Sequence, residues 1–178
     1  IRIINLFFII FILLSSKAYS LIEIDITRGN LDPLPIAVSP LFQDDNSKRN
    51  SINELKIENV GSEISLVVEN NLKISGLFNP LSKEAFLQKP DIAHLKPRFE
   101  DWALIKAQAL ITGKVTIEDK KLKVEFRLWD ILAGREMMAL AFTTVPSNWR
   151  RVGHIISDKV YERLTGEKGY FDTRIIYV

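Results

Sequence analysis

In the stretch LIEIDITRGN, Ile22, Ile24 and Ile26 fall on one face and Glu23, Asp25 and Thr27 on the other, which is the period of a half-exposed strand. Pro33 and Pro35 separate it from PIAVSPLF, a short apolar run that reads as a buried strand, and Gln43 to Asn53 is polar and loop-like. Val60, Ile64, Val67, Val68 and Leu72 recur at helical spacing with Gly76 as a stop, predicting a first amphipathic helix. LFNPLS reads as a short strand, and Lys83 to Gln88 as a helical turn before Pro90. Phe99, Trp102, Ala103 and Ile105 or Lys106 read as a second, shorter helix ending near Gln108. Turn signals at Glu118 to Lys121 and Ala133 to Arg135 divide ALITGKVTIEDKKLKVEFRLWDILAGREMMALAFTTV into three strands of a meander. Ser147 can cap a last helix that carries Trp149, Val152, Ile156, Val160 and Leu164 on one face and ends at Gly166. The expected fold class is α/β (α+β), a mixed β-sheet with two main helices and a short third.

The two ends of the chain depart from this pattern. IRIINLFFIIFILLSSKAYS has Arg2 at its start, then an apolar run from Ile3 to Leu14 broken only by Asn5, then small and polar residues. The run is shorter than the roughly 20 residues of a bilayer span, and Ala18 and Ser20 supply the small residues that a signal peptidase reads. Residues 1–20 therefore read as a secretory signal cleaved after Ser20, with an uncleaved anchor as the alternative; Ile1 in place of Met points to a trimmed start. At the other end, a turn at Gly166 to Gly169 leads into Arg174, Ile175, Ile176, Tyr177 and Val178, strand-like residues whose backbone groups require a partner.

Composition narrows the chemistry. The 178 residues are 47% hydrophobic and 26% charged, with room for one ordinary domain. Removing residues 1–20 takes the formal charge from +2 to zero, which argues against nucleic acid as a partner, because such affinity comes from a basic stripe facing phosphates. There is no cysteine, so disulfides, thiolate metal sites and cysteine nucleophiles are excluded. His94 and His154 lack the further donors a zinc site needs. His154, Ser157 and Asp158 have the names of a hydrolase triad but sit within one helical turn, where side chains radiate instead of forming a relay. ITGKV lacks both the upstream Gly and the following Ser or Thr of a phosphate loop and reads as a strand holding a glycine. The acid pairs Asp44-Asp45 and Glu100-Asp101 read as solvated surface, and Trp102, Trp129 and Trp149 as core. No catalytic residue, cofactor or metal site is assigned.

The feature with most to say is the first segment after the signal. It carries acids on its outer face and is joined to the rest by a proline-bounded hinge; it is either the edge of the domain sheet or a strand that a partner can add to its own. Together with IEIDITRGNLDPLPIAVSPL and KISGLFNPL, the stretch GHIISDKVYERLTGEKGYFDTRIIYV resembles the amino-terminal half of the TolB family, periplasmic components of the Tol-Pal system of Gram-negative bacteria. The resemblance implies a small mixed α/β domain followed by a β-propeller and no enzymatic activity. It further implies an adaptor role in outer-membrane maintenance and envelope constriction at division. It makes Leu21, Ile22, Glu23, Ile24, Asp25, Ile26, Thr27, Arg28, Gly29, Asn30, Leu31 and Asp32 the family's box for the inner-membrane protein TolA. Pal is implied as a partner only where a propeller is supplied, and membrane association only through partners.

The expected organisation is a signal at 1–20, an interaction segment at 21–34, an α/β domain at 35–168, and at 169–178 a linker with the first strand of a propeller that this sequence lacks. The alternatives are an exported small-molecule-binding or hydrolytic domain of similar fold, and a non-functional gene fragment.

Overall fold

The computed structural model of the chain describes residue 22 and residues 32–173. The signal-like residues 1–20, most of the 21–32 segment and the strand-like Arg174 to Val178 lie outside the described residues. The predicted buried strand is β1 (Leu34–Val38), which runs parallel to both β3 (Phe78–Pro80) and β4 (Ala109–Glu118). Pro40 interrupts it, and β2 (Phe42–Gln43) resumes pairing further along β4. The kink is held by Ser65, whose hydroxyl accepts from the Leu41 amide at 3.0 Å and has the Ser39 carbonyl at 3.1 Å and the Gly61 carbonyl at 3.0 Å as acceptors for its proton. A side chain at Gly61 would strike the Leu41 carbonyl, which is why a glycine stands there.

Between β2 and β3 run two helices, α1 (Asp45–Leu55) and α2 (Val60–Ile74). α2 follows its predicted periodicity. α1 corrects the expectation of a loop. The Asp44 side chain caps it by accepting from the Ser47 amide at 2.8 Å, and the side it buries consists of Ser47 and Ser51. The Ser47 hydroxyl accepts from the Ile117 amide at 3.2 Å, and Asn50 donates to the Ile117 carbonyl at 2.7 Å. A helix docked on a strand through hydroxyls has no hydrophobic period to read.

From β3 the chain crosses the other sheet face through a 3-10 turn at Lys83–Ala85 and two short helices, α3 (Pro90–Ala93) and α4 (Phe99–Leu104). The meander follows: β4, β5 (Lys121–Asp130) and β6 (Arg135–Thr144), with every neighbouring pair antiparallel. The β4–β5 turn is two residues, Asp119 and Lys120, both at positive φ (49° and 57°), the mirror-image turn whose twist suits a hairpin. α5 (Trp149–Thr165) then returns over the sheet and stops at Gly166, whose φ of 76° closes the last turn onto the Glu162 carbonyl. Ser147 is not its cap. Asn148 holds that position, makes no side-chain cap bond, and is preceded by a 3-10 turn at Pro146–Asn148.

The strand order is β3-β1-β4-β5-β6. The larger core lies between this sheet and α2 with α5, built from residues such as Ile36, Ile111, Phe126, Leu128, Ile64, Leu72, Ile156 and Val160. A smaller one on the opposite face holds Trp102, Trp129, Leu110 and Ile131. All three tryptophans are buried, as the sequence predicts. Trp129 donates to the Thr112 hydroxyl at 2.9 Å and Trp102 to the side-chain oxygen Oε1 of Gln88 at 3.0 Å, so these two indole N–H groups are satisfied. No helix among the described residues is long and apolar enough to cross a membrane.

Candidate interaction surface

The polar groups that could do chemistry are occupied by the fold. His154 shares Asn71 with Ser157: the Asn71 amide nitrogen lies 2.9 Å from His154 Nδ1 and 2.9 Å from Ser157 Oγ, joining α2 to α5. Ser157 spends its own proton on the Gly153 carbonyl at 2.8 Å. Asp158 faces elsewhere and accepts from the amides of Phe171 (2.7 Å) and Asp172 (3.1 Å). The three names of a triad thus belong to two separate structural devices. His94 stacks on Phe42 at 4.4 Å between ring centres, with Nδ1 3.0 Å from the Pro90 carbonyl.

The acid pairs divide by role. Asp44 is a helix cap, and its bond from the Ser47 amide, aided by Lys114 at 3.7 Å, holds its carboxyl below the usual carboxylate value. Asp101 takes a hydrogen bond from Arg98 Nε at 2.8 Å. Gly113 sits within β4 because a side chain there would meet the Glu125 carbonyl. No group of three metal-ligating side chains occurs among the described residues. A groove of about 430 Å³ crosses the open sheet face beside His94, Leu95 and Ala139. Each charged residue that lines it is in an ion pair: Lys114 with Asp44 at 3.7 Å, Glu125 with Lys123 at 3.0 Å and Arg127 with Glu136 at 3.1 Å.

Of the twelve residues expected to form the partner-binding segment, two are described. Ile22 is half-buried and packs against the larger core; Asp32 is exposed and leads through Pro33 into β1. Leu21 and residues 23–31 lie outside the described residues. At the opposite end of the chain the last described residues are anchored. Tyr170 and Phe171 make edge-to-face contacts with Tyr161, and Arg151 reaches Asp172 at 3.1 Å. Gly169 permits the close approach, since a side chain there would strike the Asp158 backbone. Burial pushes the Tyr161 phenol above its usual pKa.

Sequence reasoning missed one surface. Among the described residues β6 is the outer strand of the sheet, with its partner β5 on one side only. Most of its residues are exposed or half-buried. The signal was present in MMALAFTTV, nine residues without a charge.

A mixed sheet between two helical layers, its polar side chains engaged in caps, turns and interhelix bonds, defines an α+β sandwich with β3 and β6 as its edges among the described residues. The chain belongs to the TolB family: the model of the TolB amino-terminal domain matches residues 22–137. It is 77% identical over 171 residues to the Tol-Pal system protein TolB of Pelagibacter ubique (strain HTCC1062), an alignment that covers 96% of this chain and 38% of that protein. The chain therefore spans well under half the length of that relative. The crystal structure of TolB from Acinetobacter baumannii superposes with a TM-score of 0.62 at 22% identity, over 79% of this chain and 30% of that one, and shows the same fold.

Proposed function

We propose that this chain is a protein-interaction module of the Tol-Pal cell-envelope system, acting in the periplasm without enzymatic activity and contacting TolA through Leu21 to Asp32. The observation that carries the reading is the 77% identity to a Tol-Pal system protein across nearly the whole chain. The alternation of Ile22, Ile24 and Ile26 with Glu23, Asp25 and Thr27 supports it, since such a strand offers main-chain hydrogen bonds for affinity and alternate side chains for specificity. Outer-membrane integrity and cell division are the processes this role would serve. Export through residues 1–20 would bring the module to its partner.

The test is calorimetric titration with the carboxy-terminal domain of TolA, with circular dichroism on each variant. Removing residues 23–31 abolishes binding while cooperative unfolding persists, because β1 and all later elements follow Pro33. Ile24→Asp weakens binding more than Glu23→Gln: an unpaired buried charge costs several kcal/mol, a rim charge at most about 1 kcal/mol. Binding that survives the deletion, or a reversed order of the two substitutions, overturns the assignment. Unfolding on deletion would make the segment an integral edge of the domain.

A further inference from the structure

No described strand pairs the outer edge of β6. Edge strands ordinarily discourage pairing with charges, prolines or inward-pointing polar groups, and Met137 to Val145 contains no charge, proline or glycine. The helix-side row Met138, Leu140 and Phe142 continues the buried β5 row Leu128, Phe126 and Val124 pair by pair. It extends past the helical cover, and Leu140 is 37% exposed. On the other face Ala139 and Ala141 are small and exposed, so the backbone edge between them is accessible.

We propose that this edge pairs with β6 of a second copy of the chain, antiparallel about a two-fold axis through Leu140. The strand is self-complementary in that register. Leu140 meets Leu140 of the second copy, Met138 meets Phe142, and Ala139 meets Ala141. The only charges of the strand, Arg135 and Glu136, fall opposite Val145 and Thr144. Centring on Ala139 would set Glu136 against Phe142, and centring on Ala141 would set Met138 against Thr144. The Leu140 register alone sets every apolar residue of the helix-side row, Met138, Leu140 and Phe142, opposite another apolar residue and joins the two sheets into one. A single ladder is a small interface, so association is weak and rises with concentration.

The experiment uses the absence of cysteine from the sequence. In the proposed register the two copies of residue 140 face each other with Cα atoms about 4.5–5.5 Å apart, within reach of a disulfide, whereas the two copies of residue 135 lie roughly 34 Å apart. Oxidation of the exported, purified chain carrying Leu140→Cys is expected to give a disulfide-linked dimer as the main product, and Arg135→Cys to stay monomeric. Sedimentation of unsubstituted protein should show a concentration-dependent dimer that Leu140→Lys removes, by setting like charges opposite each other, and that Leu132→Lys in the exposed β5–β6 turn leaves intact. Equal cross-linking at both positions, a monomer at every concentration, or association unchanged by Leu140→Lys overturns the proposal. A circular dichroism melt of each variant keeps misfolding from passing for loss of pairing.

Discussion

Single side chains show how the same residue names lead to different physics. Asp44 and Asp45 are neighbours in a polar stretch, yet Asp45 is solvent-facing while Asp44 ends one helix and answers one orphan amide. Asp44→Ala should cost about 1 kcal/mol, the usual worth of such a cap. The cap also titrates. Because the folded state holds the Asp44 carboxyl below its unfolded value of 3.8, its charged form contributes stability that is present above that value and lost as the pH falls through the lower folded one. Asp44→Asn keeps an acceptor oxygen but cannot titrate. The melting temperature of the original chain relative to Asp44→Asn should therefore be level above about pH 5 and decline as the pH falls below the unfolded value of 3.8. A difference that stays level through the acid range would mean that the cap is not charge-dependent. Asp158 makes the companion point: neither composition nor spacing could tell that its two oxygens anchor Phe171 and Asp172, a bond pattern set by where the tail folds back.

At the scale of elements, legibility tracks how each element is buried. α2 and α5 bury Val, Ile and Leu at helical spacing, and β5 buries alternate apolar residues between two turns, so pattern and structure agree there, whereas β4 is buried on both faces along its first half and β6 is at most half-buried. α1 buries Ser47 and Ser51 and is invisible to a hydrophobic period; its remaining trace in the sequence is the Asp44 cap with Ser47 three residues on. The two serines should respond oppositely to truncation. Ser47 supplies the acceptor for the Ile117 amide, so Ser47→Ala strands a buried donor and should destabilise by about 1–3 kcal/mol. Ser51 is fully buried, and its hydroxyl finds no partner among the described residues. Ser51→Ala removes a desolvated polar group at little cost in volume and should leave stability unchanged or raise it. Urea denaturation of both variants checks this, and a Ser51→Ala loss as large as that of Ser47→Ala would show that the Ser51 hydroxyl is bonded.

For the whole molecule the question is where the folded unit ends. The pattern of the sequence suggests a boundary near Gly169, after the last helix. The structure extends the packed unit to Asp172 through contacts that no local pattern encodes, since Tyr161, Asp158 and Arg151 belong to a helix and their partners to an irregular tail. A chain ending at Thr173 should keep its full stability, having lost only residues outside this contact set. A chain ending at Gly169 loses the two rings set edge-to-face against Tyr161 and leaves both Asp158 oxygens without their amide donors. Tyr161 itself packs edge-to-face on Phe78 of the edge strand β3, so the loss reaches that edge of the sheet within the larger core. Aromatic pairs contribute about 0.5–1.5 kcal/mol each beyond their buried area, and the cut at Gly169 should therefore lower stability by on the order of 2–4 kcal/mol in total. Thermal unfolding of the two truncated chains distinguishes the boundaries: equal melting temperatures would place the end of the fold at Gly166 to Gly169 and make residues 170–172 a docked but dispensable linker. A lower value for the shorter chain alone assigns residues 170–172 to the domain, as the contacts of Tyr170, Phe171 and Asp172 with α5 require.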